Sequence, residues 1–328
     1  MNTVEMAEIL NSVDMYELAM KTNAGIVMTD NESTAVAELD RQFKKIGEEG
    51  HDPNHEIAAF IRRTINEEIV NAPDELLDSL FDRGSIDEND DFESWVTPKN
   101  TLVAYPAAPG GNVDRSFLDI SVLQPKYVNR QVETDIEFAT LRRNGWKSIA
   151  LLTEFAMQAL RNAMFYDVFN AIDAGIASGA ENYITEATTL PTQASMDALA
   201  LYLMEHADGE KTIIGLTKYI QAASKLTGFV SEDMKNEVHR AGLLGSYDGC
   251  DMYPINGSKK VGTNLLIPDK RIYGVAGRIG VLDMKGDVHV YEVEDVNKEK
   301  LHILVKDFTY GYAFNNNTLE KVCKMVLA

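Results

Sequence analysis

Histidine, cysteine and closely spaced carboxylates are the side chains in this sequence that could bind a metal or catalyse a reaction. His51 and His55 stand four residues apart in HDPNH, the separation found in a helical two-histidine zinc motif. However, Pro53 lies between them and no Glu follows the first histidine. We therefore expect a loop with two exposed histidines here.

The acidic run DENDDFE has the spacing with which a calcium loop begins, since Asp87, Asn89 and Asp91 occupy alternate positions. A calcium loop also requires Gly at its sixth position and Glu at its twelfth. Those positions hold Phe92 and Pro98. The run is predicted to be a solvated acidic stretch.

Other known catalytic and nucleotide-binding motifs do not occur in the sequence either. The glycines of GVAGRIG, residues 274–280, do not form the dinucleotide fingerprint Gly-x-Gly-x-x-Gly, and no helical pattern follows them. The sequence contains no Walker motif, no Gly-x-Ser-x-Gly and no Cys-x-x-Cys. Its two cysteines, Cys250 and Cys323, are expected to be free thiols in a reducing compartment. We expect no enzymatic activity, no catalytic residue, no cofactor and no bound metal.

Composition narrows the class of protein further. The chain has 328 residues, enough for about two domains at roughly 150 residues each, and is 45% hydrophobic. The net charge is −20, from 51 acids and 31 bases, so the surface repels nucleic-acid phosphates. There is no basic tract, signal peptide or membrane-length apolar run, which indicates a protein made in the cytosol.

Helical spacing dominates the first part of the chain. Residues 3–20, 33–47 and 54–70 have the apolar periodicity of amphipathic helices. Residues 74–94 contain nine acids and one Arg, which predicts a solvated linker or arm. No internal repeat is present.

The pattern changes at Trp95. Strand-like residues near 101–105 and 115–123 predict a hairpin with the small-residue tip PAAPGGN. Between Trp146 and Ala174 there is neither Pro nor Gly, and apolar residues recur every three to four positions. This predicts one helix, roughly 40 Å long at about 1.5 Å per residue.

The last third of the chain contains both helical and strand-like patterns. Helices are predicted at 196–207, 217–226 and 231–244, with a short strand at 211–216. Two long strands joined by a turn near Asn297-Lys298 follow, and the C-terminal stretch TLEKVCKMVLA is predicted to be a helix. The fold class is therefore α+β.

This order of elements resembles the major capsid protein of tailed bacteriophages, which has the Hong Kong 97-type fold. The hairpin TLVAYPAAPGGNVDRSFLDISVL matches the family's extended loop, and the helix from Trp146 to about Ile176 matches its spine helix. The stretches KYIQAASKL and HRAGLLGSYDGCDMYPI look like its axial domain, and LHILVKDFTYGYAFNNNTLEKV is similar to its closing segment. The resemblance covers roughly residues 97–328.

The resemblance implies a division of the chain into a helical acidic N-terminal arm, an extended loop, a peripheral domain and an axial domain. The corresponding ranges are 1–95, 96–135, 136–180 with 285–328, and 181–284. It also implies contacts between copies through the loop and its base. The expected contact residues are Trp95, Tyr105, Asp114, Arg115 and Phe117.

The implied function is self-assembly, as hexamers and pentamers, into an icosahedral shell around double-stranded DNA that is not bound by sequence. The implied partners are portal, scaffolding and decoration proteins, without a membrane. The protein would be found in the virion after assembly in the host cytoplasm, with no covalent cross-link between subunits. Two alternatives stay open: an encapsulin-type bacterial shell protein, and a soluble enzyme with an unrecognised site.

Overall fold

The computed structural model describes residues 13–52, 54–71, 75–90, 95–99, 119–123, 125–206, 209–226, 245–295, 298–314 and 319–328. The described helices are α1 Met15–Ala24, α2 Asp30–Glu49, α3 Glu56–Asn71, α4 Glu75–Leu80, α5 Phe138–Asn144, α6 Trp146–Gly175, α7 Gln193–His206 and α8 Thr217–Ala223. The described strands are β1 Phe81–Ile86, β2 Trp95–Lys99, β3 Asp119–Leu123, β4 Lys126–Glu137, β5 Tyr183–Glu186, β6 Lys211–Leu216, β7 Ser246–Tyr247, β8 Cys250–Ile255, β9 Lys260–Val261, β10 Asn264–Leu265, β11 Arg271–Ala276, β12 Gly280–Lys285, β13 His289–Asp295, β14 Lys300–Phe314 and β15 Val322–Leu327.

Helix α6 is the long helix that the sequence predicts. It runs for 30 residues, about 45 Å, and begins after Gly145, whose φ of 49° and ψ of −126° break the chain direction from α5. Its buried residues recur at helical spacing from Trp146 to Ile172. Helix α6 is therefore a rod with apolar contacts along most of its length.

A five-stranded sheet packs against α6. Strand β14 lies at its centre and pairs with β4 on one side, and with β13 and β12 on the other. Strand β1 pairs in parallel with β12 over six residues, from Phe81 to Ile86. The prediction of a solvated linker at 74–94 is wrong over α4 and β1, because Leu76, Leu77, Leu80 and Phe81 are buried in the main core.

A six-stranded sheet forms the second layer, in the order β5-β15-β11-β6-β8-β7. The predicted C-terminal helix is wrong, since Val322–Leu327 is β15, paired with β11 and β5. Successive residues Val322, Cys323, Lys324 and Met325 are all buried. A strand covered on both faces loses the alternating pattern that identifies strands in a sequence, which explains the error.

Helices α1 and α2 each begin at a residue whose side chain caps the helix N-terminus. The Asp14 side chain accepts hydrogen bonds from the backbone N–H groups of Tyr16 and Glu17, and Thr29 and Glu32 form a reciprocal capping box. Their apolar faces do not form a separate core. Residues such as Leu18, Phe43 and Ile61 are buried in one cluster with α6 and the five-stranded sheet.

A second hydrophobic cluster lies between the six-stranded sheet and helices α7 and α8. The hairpin prediction is confirmed in part: β3 pairs antiparallel with β2, from Trp95 opposite Leu123 to Lys99 opposite Asp119. The predicted first strand at 101–105 lies outside the described residues. None of the described helices is long and apolar enough to cross a membrane. The boundaries of the four-part domain division stay a prediction.

Candidate inter-subunit surfaces

Two aspartates of α6 form hydrogen bonds with the five-stranded and the six-stranded sheet. Asp167 accepts hydrogen bonds from the Arg130 guanidinium on β4, with Nε 2.9 Å from Oδ2, and from the Tyr310 hydroxyl on β14. The hydrogen bond to Asp167 raises the pKa of Arg130, and burial together with Asp167 raises the pKa of Tyr310. This cluster links α6 to the five-stranded sheet.

Asp173, six residues further along α6, makes the equivalent link to the six-stranded sheet. Its carboxylate accepts hydrogen bonds from the Tyr273 hydroxyl at 2.8 Å and lies 2.8 Å from Lys324 Nζ and 3.3 Å from Arg271 Nε. Burial opposes ionisation of Asp173, but hydrogen bonds from Lys324 and Tyr273 outweigh it, so its pKa is lowered. The buried Lys324 thus has a counter-charge, as a buried ammonium requires.

The first turn of α6 anchors the N-terminal helices. The Trp146 ring is 1% exposed, stacks 6.2 Å from the Phe43 ring of α2, and meets the Phe60 ring of α3 edge-on at 4.8 Å. Its indole N–H donates to the Thr22 hydroxyl of α1 at 2.9 Å. Of the described helices, α1, α2 and α3 therefore converge on this one residue of α6.

An apolar groove of about 580 Å³ runs along the opposite flank of α6, beside β4. Its walls are formed by Val132, Glu133, Thr134 and Ile136 of β4, Thr140 and Asn144 of α5, and Lys147, Ser148, Leu151, Leu152, Phe155 and Ala156 of α6. Leu151 is 41% exposed and Phe155 is 57% exposed. Large apolar side chains exposed side by side in a concave surface are typical of a contact site.

The connection between α1 and α2 also exposes apolar side chains. Ile26 and Val27 are 56% and 92% exposed. The Asn23 side chain, in the last turn of α1, donates to Glu154 of α6 at 2.7 Å and so holds the start of this connection against α6. The apolar groove and this connection are the candidate inter-subunit surface.

The sequence-predicted contact residues are placed only in part. Trp95 is the first residue of β2, at the end of the β2–β3 pair next to β4. Tyr105, Asp114, Arg115 and Phe117 lie outside the described residues. Sequence reasoning missed Leu151 and Phe155, since apolar residues on a long helix are most simply assigned to the core.

The cysteines and histidines that could have carried chemistry are either buried or paired with carboxylates. Both cysteines are buried free thiols, as predicted, and burial raises the pKa of Cys323 to about 12. His51 and His55 are exposed, also as predicted, and contact carboxylates of β13. Hydrogen bonds from the hydroxyl groups of Thr192 and Ser195 lower the pKa of Glu186 to about 2. Within the described ranges, no group of His, Cys, Asp and Glu could hold a metal ion.

Comparison with known proteins identifies the family. Residues 5–304 match the family described as SPbeta prophage-derived putative capsid protein YonB. The chain belongs to this capsid family. No curated protein matches its sequence at a significant level.

Solved phage structures share its fold. A structure from Gordonia phage Cozz has a TM-score of 0.53 and 13% identity, over 76% of this chain and 84% of that one. The capsid structure of the Cyanophage P-SCSP1u has a TM-score of 0.54 and 9% identity, over 77% and 88%. A structure from Mycobacterium phage Bobi has a TM-score of 0.52 and 11% identity, over 85% and 99%. The predicted α+β fold of Hong Kong 97 type is confirmed.

Proposed function

We propose that this protein is the major capsid protein of a tailed bacteriophage, and that its copies form hexamers and pentamers in an icosahedral shell around double-stranded DNA. The observation that carries this proposal is the capsid-family match over residues 5–304, together with a fold shared with phage capsids. The same findings favour a phage shell over an encapsulin-type one. The shell is assembled in the host cytoplasm and becomes part of the virion.

The shape of the subunit supports this function. A shell subunit must keep its edges at fixed positions while it contacts several copies, and α6 supplies a rod that is bonded to both sheets through Asp167 and Asp173. In the proposed division, the strands of the six-stranded sheet other than β15 fall in the axial domain. Strands β13 and β14 of the five-stranded sheet fall in the peripheral domain, whereas β1, most of β4 and most of β12 come from the other three ranges. Strand β15 then returns from the C-terminal segment to complete the axial sheet.

The proposed contacts between copies use apolar surface and backbone edges. At a net charge of −20, two copies repel each other at long range, so contacts must gain free energy from burial of apolar groups. The extended loop, with Trp95 at its base and Tyr105, Asp114, Arg115 and Phe117 in its arms, contacts a neighbour. Each contact is weak, but closed symmetry repeats it many times.

The proposed partners follow from the same function. Portal, scaffolding and decoration proteins complete the head, and the acidic subunits enclose DNA without holding its phosphates. We propose that subunits carry no enzymatic activity and form no covalent cross-link. Subunits that remain joined in hot detergent would contradict the absence of a cross-link.

Sedimentation velocity on the purified protein expressed alone tests the proposal, with negative-stain images of any fast fraction. Closed shells, rings of five or six, or sheets are expected. A monomer or dimer at high concentration, unchanged by added scaffolding protein, would contradict it.

A pair of variants tests the candidate inter-subunit surface. Phe155→Glu places a charge in the apolar groove and is expected to raise the concentration needed for assembly at least about tenfold, since burying an unpaired charge is costly. Val293→Glu, on β13, is the matched control because Val293 is 65% exposed. Equal loss of assembly in both variants would show that the groove has no special part in the contact.

A further inference from the structure

Two Asn-Gly dipeptides occur in the sequence, Asn144-Gly145 and Asn256-Gly257. An asparagine that precedes a glycine can lose its side-chain amide without an enzyme, because the glycine nitrogen attacks the side-chain carbonyl carbon and no Cβ obstructs the approach. The reaction needs a peptide N–H that hydroxide can reach, and space in which a five-membered ring can close. The fold gives the two dipeptides opposite environments in both respects.

Asn256 and Gly257 stand in an exposed turn between β8 and β9. Each residue from Asn256 to Lys260 is exposed. A Cβ added at Gly257 would have no atom within 4 Å, so the space around this peptide is open. Within the part of the chain that the structure describes, the Gly257 N–H donates to no protein acceptor, which leaves its proton accessible to hydroxide.

Hydrogen bonds of the turn also prepare the Asn256 side chain for attack. The Ser258 N–H donates to Asn256 Oδ1 at 3.0 Å, and the Lys259 N–H donates to the Asn256 backbone carbonyl at 3.1 Å. The first of these bonds folds the side chain back over the following peptide, as in an Asx turn, so the Gly257 nitrogen is part of the ring that the bond closes. The same N–H polarises the carbonyl group and stabilises the negative charge that develops on Oδ1 during attack.

The other dipeptide, between α5 and α6, is closed to this reaction. Gly145 is buried, and its N–H donates to the Leu141 carbonyl at 2.7 Å. A Cβ added at Gly145 would overlap Asp40 Oδ1, to which the Trp146 N–H donates at 3.3 Å. The Asp40 carboxylate therefore fills the space beside this peptide, and its charge opposes removal of a proton from the N–H. Asn144 thus provides an internal control in the same molecule.

We propose that Asn256 is a site of spontaneous deamidation in the folded protein. The Gly257 nitrogen gives its proton to hydroxide and forms a bond to Asn256 Cγ; the bond from Cγ to Nδ2 then breaks, and Nδ2 leaves as ammonia after taking a proton from water. The product is a five-membered succinimide, which a second water molecule opens at either carbonyl. An aspartyl or an isoaspartyl residue results at this position, with one water consumed and one ammonia released.

The modification changes the charge of the turn and leaves β8 in place. It adds one carboxylate close in sequence to Lys259 and Lys260, two exposed cations in a chain of net charge −20. The preceding residue, Ile255, is buried, and its carbonyl accepts the Thr217 hydroxyl at 3.0 Å, so the end of β8 is held independently of the turn. The reaction takes place within one subunit and does not depend on the assembly proposed above.

Incubation of the full-length protein at pH 8 and 37 °C, followed by peptide mapping with mass spectrometry, tests the proposal. The peptide that contains Asn256 should gain about 1 Da, as replacement of an amide by an acid requires, at least about tenfold faster than the peptide that contains Asn144. In denaturant the two sites should convert at rates within about threefold of each other, because both asparagines precede glycine and neither is then protected by the fold. A rate at Asn256 in the folded protein that is no higher than at Asn144 would overturn the proposal.

A matched variant tests the route of the reaction. Gly257→Ala adds a Cβ into open space, so the fold is expected to be unchanged, but the methyl group obstructs attack by the nitrogen. Conversion at Asn256 in the folded variant should therefore be at least about fivefold slower than in the wild type, with conversion at Asn144 unaffected. An undiminished rate at Asn256 would show that the amide is lost by another route and would overturn the proposed mechanism.

The isoaspartyl product has a separate readout. A protein isoaspartyl methyltransferase transfers a methyl group from S-adenosylmethionine to the carboxylate of this product, so labelled methyl groups count it. Wild-type protein incubated at pH 8 should accept more methyl groups than freshly purified protein, and Asn256→Ser should lose most of this increase. Equal increases in the wild type and in this variant would also overturn the proposal.

Discussion

The contact between Phe43 and Trp146 gives a quantitative test of whether the N-terminal helices are part of the subunit core. Phe43 is 1% exposed, and its ring lies 6.2 Å from Trp146 and 5.9 Å from Phe60. Phe43→Ala leaves a cavity at the point where α2, α3 and α6 meet. Replacing a buried Phe by Ala ordinarily lowers the free energy of unfolding by about 3–5 kcal/mol. Since two aromatic partners are lost here, we expect about 4 kcal/mol.

Tryptophan fluorescence measures this loss directly, because the chain contains only Trp95 and Trp146. In a Trp95→Phe background, Trp146 alone reports denaturant unfolding, and far-UV circular dichroism reports the remainder. The two signals should change in one transition, shifted to lower denaturant by Phe43→Ala. Val27→Ala, at a residue 92% exposed, is the control and should change the free energy by less than about 0.5 kcal/mol. A loss below about 1 kcal/mol, or separate transitions, would mean that these helices form a detachable arm.

Three other predictions concern polar and titratable groups. Asp167→Ala should lower the free energy of unfolding by about 2 kcal/mol, because it removes the acceptor of the Tyr310 hydroxyl and the partner of Arg130. Adding Tyr310→Phe should then cost less than about 0.5 kcal/mol more, since that hydroxyl has already lost its hydrogen bond; additive losses in denaturant titrations would contradict this. Glu186→Gln should be less stable than wild type at pH 7. This difference in stability should disappear as the pH falls from about 4.5 to about 2, because a carboxyl group with a lowered pKa stabilises the folded state only while it is ionised. Thermal unfolding at several pH values measures the difference. Cys250 and Cys323 should react with an aromatic disulfide reagent at pH 8 at least about 100-fold more slowly in the folded protein than in denaturant. Burial raises the pKa of both thiols and so lowers the fraction present as reactive thiolate. Comparable rates in the two states would mean that a thiol is at the surface.

Local signals in the sequence predict the longer helices well, but not the short helices α4 and α5. Helix α6 begins and ends within two residues of its prediction, because Gly145 interrupts the chain and no other breaker occurs before Gly175. Helices α2 and α3 are also present, with shifted bounds: α2 begins after the cap Thr29, three residues earlier than predicted, and continues to Glu49 before Gly50. Helix α3 ends at Asn71, two residues before Pro73. Helices depend mainly on residues near in sequence, which is why periodicity and caps suffice.

The strands that were missed depend on distant partners. Strand β1 lies in an acidic stretch and exists because it pairs with β12, about 200 residues later. Strand β15 has helix-forming residues and a Lys in its centre, but β11 and β5 provide both of its edges and Asp173 neutralises Lys324. Neither pairing leaves a local pattern in the sequence. The same holds for the apolar groove, which arises only when α6 and β4 lie side by side.

The two aspartates of α6 explain how one helix can fix the relation between two sheets. Asp167 and Asp173 are six residues apart, which places them about 9 Å apart along the axis and about 120° apart around it. They therefore point in different directions, one toward Arg130 and Tyr310 and the other toward Tyr273 and Lys324. Apolar packing alone tolerates sliding and rotation of a helix, whereas these hydrogen bonds hold only at one position and one angle. A subunit built in this way keeps both sheets in a fixed arrangement, so differences in shell curvature must be taken up at the contacts between copies rather than inside each copy.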